Sequence, residues 1–89
     1  MKLNENFVLK TIAGASVVMP VGDAVSKVNG MIKLNPTAEV IWKALEQETT
    51  LEDVISTVRA NCQNVNEATI IEDVVDFTEK LRKLGILEE

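Results

Sequence analysis

The hydrophobic rhythm of this chain changes once, at Asn35-Pro36. Before that point apolar and β-branched residues come in short runs, FVLKTI at Phe7–Ile12, SVVMP at Ser16–Pro20 and a third run ending at Leu34, and such runs predict strands. Ala13-Gly14-Ala15 between the first two is short enough for a hairpin turn, with Gly14 able to supply a positive φ, so these two strands should pair antiparallel. Pro20 has no amide for a ladder and should end its strand, and Val21-Gly22-Asp23-Ala24 then reads as a loop. The third strand should begin between Ser26 and Met31, where Asn29-Gly30 is a turn or bulge signal. Met1 to Glu5 are polar and are expected to fray.

After the change the period is helical. In MIKLNPTAEVIWKAL (Met31–Leu45), Asn35 is placed to cap a helix with its side-chain oxygen, and Pro36 suits the first helical position because its φ is already right and it has no amide to waste. Ala38, Ile41, Trp42 and Leu45 then share one face, which turns the only Trp of the protein into the core. Thr50 opens a second helix with Asp53 three residues on, and Leu51, Val54, Ile55, Val58 and Cys62 form its inward stripe. A third helix should run from Asn66 to Leu84, with Val65 and Ile70 placed for a hydrophobic staple. Gly85 should follow as a left-handed cap, with Ile86 folding back on Leu81. Lys80, Arg82 and Lys83 in its last turns suit the helix dipole.

That third helix carries more apolar surface than one buried face needs. Leu84, Phe77, Ile70, Leu81 and Val74 make one stripe, and Ile71, Val75 and Ala68 widen it to an arc of roughly 200°, about twice what a surface helix requires. Either the core wraps this helix on two sides, or the Ile71–Val75 flank walls a groove beside the third strand, which would be a sheet edge with unpaired amides and carbonyls.

Composition narrows the chemistry. Eighty-nine residues with 46% hydrophobic content make one domain, 1–89, with a single core. A net charge of −5 repels phosphate backbones, the basic residues do not cluster, and nucleic acid is an unfavourable partner. Cys62 has no partner for an internal disulfide, no apolar run approaches a membrane span, and no signal-peptide pattern follows Met1, so the cytoplasm is the expected compartment. Histidine is absent, which removes the commonest metal ligand and general base, so no metal and no cofactor are expected. The acids Glu46, Glu48, Glu52, Asp53, Glu72, Asp76 and Glu79 fall on polar helix faces, and no nucleophile–base pair emerges, so no enzymatic activity is expected.

Three short strands followed by three helices, with GMIKLNPTAEVIWKAL at the join and TLEDVISTV in the second helix, resemble the PqqD-like family over nearly the whole chain. That family takes its name from the small protein of pyrroloquinoline quinone biosynthesis. The resemblance implies an α+β, winged helix-turn-helix-like fold, the RiPP recognition element, with a three-stranded antiparallel N-terminal sheet and three α-helices. It further implies a partner: the leader of a ribosomally made precursor peptide, presented to a modifying enzyme that is often a radical SAM enzyme. In the family the leader adds as a strand to the third strand and lodges side chains against the third helix. Here that implies Met31, Ile32, Lys33 and Leu34 facing Ile71, Val74, Val75 and Thr78, with Leu34, Asn35 and Trp42 as structural positions.

Two functional classes follow. One is a non-catalytic adaptor binding peptide by strand addition, in which backbone hydrogen bonds give affinity and side-chain pockets give register. The other is a winged-helix DNA-binding regulator, which needs exposed basic or amide side chains on its recognition helix. The outward face of the third helix instead carries Glu72, Asp73, Asp76 and Glu79, and the second offers Arg59 against Glu52 and Asp53, so charge favours the adaptor.

Overall fold

The computed structural model describes residues 1–22, 31–62 and 64–88. Strands β1 (Lys2–Leu3), β2 (Phe7–Ile12), β3 (Ala15–Pro20) and β4 (Ile32–Leu34) precede helices α1 (Pro36–Leu45), α2 (Leu51–Asn61) and α3 (Glu67–Lys83), and β5 (Leu87–Glu88) follows. The fold is α+β: a three-stranded antiparallel sheet in the order β2-β3-β4, then three helices. Asp23-Ala24, Asn29-Gly30 and the segment where the third strand was expected to start lie outside the described residues.

Local chemistry explains most boundaries. Ile12 pairs with Ala15 across a two-residue turn in which Ala13 and Gly14 both have positive φ, 53° and 80°. Only such a turn matches the right-handed twist of the two strands, and Ala13 accepts a left-handed conformation to make it. The Asn35 side chain accepts the Ala38 amide at 2.8 Å with Pro36 at the first helical position. Thr50 Oγ1 accepts the Asp53 amide at 3.2 Å, and Asn66 Oδ1 accepts the Ala68 amide at 2.8 Å. At the far end of α3 the Ile86 amide bonds to the Leu81 carbonyl at 2.9 Å and the Gly85 amide to the Arg82 carbonyl at 3.1 Å. With Gly85 at φ 75°, this is a complete Schellman ending.

One core joins the layers. Phe7, Val18 and Leu34 from the sheet meet Ile41, Trp42 and Leu45 of α1, Val54 and Val58 of α2, and Ile70, Val74 and Leu81 of α3. Trp42 is 1% exposed, as the helical spacing requires. Sheet and helices are also tied by charge. Ser16 Oγ donates to Glu39 Oε2 at 2.8 Å, and Lys43 Nζ lies 3.2 Å from Glu39 Oε1. The Ser16 hydroxyl, then Lys43, hold the Glu39 carboxyl below its ordinary 4.5.

The structure departs from the sequence expectations in three places. Met1 to Glu5 do not fray. Lys2 pairs with Glu88 and Leu3 with Leu87 in a second small sheet, and Leu3 is buried. The Asn4 amide bonds to the Ile86 carbonyl at 2.7 Å, and the Met1 ammonium donates to Glu48 Oε1 and the Thr49 carbonyl, each at 2.8 Å. Leu51 and Leu84, placed on inward stripes by their spacing, are 39% and 42% exposed. They stand at the first residue of α2 and just past the last of α3, where each stripe runs off the end of its packing surface. Cys62 packs against the core but caps α2 half-exposed, its Sγ 4.0 Å from Thr37 Oγ1, rather than being fully buried.

Candidate functional site

The site begins at an unfinished sheet. Among the described residues β4 pairs on one side only, with β3, in the register Ser16↔Leu34, Val17↔Lys33 and Val18↔Ile32. Its other side is an edge, with backbone donors and acceptors available to another strand. Because side chains alternate, Leu34 enters the core and half-buried Ile32 packs against it, while Lys33 takes the opposite face. Met31, just before the strand, is 58% exposed.

Asn35 follows β4 directly and is the first of the residues lining a cavity of about 260 Å³ between the start of α1 and the middle of α3. Thr37, Ala38 and Ile41 line it from α1, and Asp73, Asp76, Phe77 and Lys80 from α3. Its floor is apolar: Ile41 is buried, and Ala38 and Phe77 are partly buried against the core. Its α3 rim is charged and exposed. A second, slightly more open hollow bordered by Asp76, Glu79, Lys80, Lys83 and Leu84 continues along α3.

Three carboxylates on α3 and α1 have partners: Glu39 with Lys43, Glu67 with Arg59 and Glu79 with Arg82 are ion-paired, and Glu39 also takes Ser16. Asp73, Asp76 and Lys80 make no ion pair or side-chain hydrogen bond among the described residues, although Asp76 and Lys80 are one turn apart. Among the described residues, the two carboxylates at the cavity mouth thus have no paired cation.

The residues singled out from sequence are distributed unevenly. Met31, Ile32 and Lys33 flank or form the free edge, and Leu34 is core. On α3, Val74 is fully buried, and Thr78 is 2% exposed with its hydroxyl donating to the Val74 and Val75 carbonyls at 2.9 and 3.0 Å. Ile71 and Val75 are 41% and 37% exposed, so the spare apolar surface exists. They do not line the cavity, however. Val75 lies about 160° around the helix from Phe77, and the two flanks of α3 are separate surfaces. Phe77, Asp73, Asp76 and Lys80 were passed over as stripe, polar face and dipole partners. The signal was present in their spacing: a Phe at the margin of an apolar arc, with charged residues at i−4, i−1 and i+3, marks the border where the core meets solvent.

No group of three or more His, Cys, Asp or Glu side chains among the described residues is placed to hold a metal ion, and no helix is long and apolar enough to cross a membrane. The exposed face of α3 is acidic at Glu72, Asp73, Asp76 and Glu79, and Arg59 of α2 is paired with Glu67, an arrangement that disfavours a phosphate backbone.

No curated protein matches the sequence. Among solved structures, "TbiB1 in Complex with the TbiA(beta) Leader Peptide" superposes with a TM-score of 0.75 over 99% of this chain and 95% of that one, at 23% identity, and so shares the fold. The family model for coenzyme PQQ synthesis protein D matches residues 15–87, from the first residue of β3 to the first residue of β5. With β3, β4, the junction and all three helices inside that match, the chain belongs to the PqqD family.

Proposed function

We propose that this protein is a non-catalytic adaptor that takes up the leader of a ribosomally made precursor peptide as an added strand on β4 and holds it for a modifying enzyme. The observation that carries this reading is the juxtaposition of a free sheet edge with an apolar-floored cavity, both meeting at Leu34-Asn35. An extended peptide needs both: the edge supplies backbone hydrogen bonds, and the cavity accepts one of its alternate side chains. Membership of the PqqD family and the fold shared with a leader-peptide complex support it.

Met31, Ile32, Lys33 and Leu34 provide the edge, and the α3 wall is the Phe77 flank. The Ile71–Val75 flank, apolar and more exposed than Phe77, is where the sequence placed the α3 wall, and it serves as the comparison surface. The receiving enzyme is of the radical SAM class in this reading, and the domain brings it substrate without taking part in the chemistry. A DNA-binding role has nothing in its favour, because the face of α3 that would approach a duplex is acidic.

The test is to select binders from a displayed library of random dodecapeptides and map one by NMR on the labelled protein. The expected result is slowed amide exchange and shifted resonances at Ile32–Leu34, with contacts from the peptide to Phe77. Binders that leave β4 unperturbed, or no binders at all, would overturn the proposal.

A further inference from the structure

The open edge of β4 decides which side of the sheet each residue of a bound strand faces, and the charge on that side decides what the residue carries. We infer that the leader presents an acidic side chain, Asp or Glu, directly opposite Lys33 on the outer face of the sheet, between two apolar residues that turn inward beside Ile32 and Leu34. This rests on the strand-addition reading above and adds the chemical pattern of its ligand.

Facing follows from the register. Lys10 pairs with Val17 and Val17 with Lys33, so the three side chains form one row across the sheet, on the face opposite to the one that packs Leu9, Val18 and Ile32 against the core. A strand joined to β4 continues that row. Directly opposite residues of neighbouring strands share a face whether the strands run parallel or antiparallel, so the peptide residue across from Lys33 lies outside and those before and after it lie inside. Its Cβ comes to about 5 Å from that of Lys33, close enough for the two side chains to pair.

The row is cationic, and the sheet holds nothing to balance it. Strands β2, β3 and β4 contain Lys10 and Lys33 but none of the chain's 14 acidic residues. Both lysines are exposed, and neither makes an ion pair or side-chain hydrogen bond among the described residues. An acid opposite Lys33 gains an opposite charge, whereas a lysine there meets a like one, which is unfavourable in a directly opposite pair. Inward, Ile32 is half-buried against the core and Leu34 is buried, so the residues flanking the acid meet apolar surface. Distance singles out Lys33. At about 4.8 Å per strand the acid stands one strand from Lys33 and three from Lys10, about 14 Å, where physiological salt screens exposed charges.

The probe is the tightest dodecapeptide from the displayed library that NMR places on β4, aligned by the residue that contacts Lys33 across the edge. The selected pool should carry Asp or Glu at that position with apolar residues on both sides. Changing the acid to Lys should weaken binding on the order of threefold to tenfold, and added salt should narrow the difference. Lys33→Glu should reverse the order, so that the Lys-bearing peptide binds the tighter, and Lys33→Gln should abolish the preference; Lys10→Glu should change either affinity by less than about twofold. Circular dichroism checks that these exposed substitutions leave the fold intact. A preference confined to one position separates this pair from the general pull of a chain of net charge −5 on cations, which would favour Lys at every position. Peptides bound on β4 without an acidic preference opposite Lys33, or a folded Lys33→Glu variant that keeps the wild-type order, would overturn the inference and leave the adaptor reading standing. Failure to obtain any β4-binding peptide would overturn both.

Discussion

Filling the cavity from its floor separates the two flanks of α3. Ala38 lines the cavity from the third position of α1 and is only partly buried, so Ala38→Leu puts a branched side chain into about 260 Å³ of open space without removing any core contact. Leucine costs a helix only a few tenths of a kcal/mol relative to alanine, and its added carbons cover Ile41 and Phe77 from water. Stability should therefore stay level or rise slightly. A peptide side chain that loses this place forfeits its own burial, about 1.5–3 kcal/mol for an aliphatic or aromatic group, which is roughly tenfold to a hundredfold in Kd. Fluorescence anisotropy with a selected dodecapeptide measures the loss, and thermal melts confirm the fold. Val75→Asp, on the exposed opposite flank, should keep the affinity within about twofold. If Ala38→Leu is folded and binds as before while Val75→Asp weakens binding, the peptide lies along Ile71 and Val75 and the cavity is not its seat.

Three further outcomes follow from the framework that positions the groove. Gly85→Ala meets no atom within 4 Å of the added carbon, yet forces alanine to φ 75°, so it should cost about 1–2 kcal/mol and lower Tm by several degrees; an unchanged Tm would deny the left-handed ending its role. Ala13→Asn creates the Asn-Gly pair that a type I′ turn prefers and should raise Tm by a few degrees, measurable by calorimetry. Glu39 is held below its ordinary 4.5 in the folded state, so its contribution is present above that value and lost as the pH falls through the lowered one. Glu39→Gln should accordingly melt below wild type at neutral pH, with the gap closing in acid; a gap that does not vary with pH would remove Glu39 from the account.

What the sequence determined by itself is what short-range chemistry decides. Asn35 with Pro36, Thr50 and Asn66 each satisfy an amide two or three residues away, and Gly85 closes α3 through bonds spanning at most five residues, so those boundaries are legible without a partner. The apolar arc of α3 was legible too, because a width in degrees depends only on the helical period. Its rotation was not. Periodicity states how much of a helix is apolar but carries no reference direction, and only packing against α1 and α2 turned Phe77 toward the cavity and Val75 away from it. The same limit hid β1. Lys2-Leu3 is too short to show a strand period, and its partner, Leu87-Glu88, lies at the other end of the chain, brought into reach only after Gly85 reverses the backbone and Ile86 anchors it in the core. That Asp73 and Asp76 find no paired cation among the described residues is tertiary for the same reason: whether a surface carboxylate finds a cation depends on which helix face meets which neighbour, and here Arg59 pairs with Glu67 and Arg82 with Glu79.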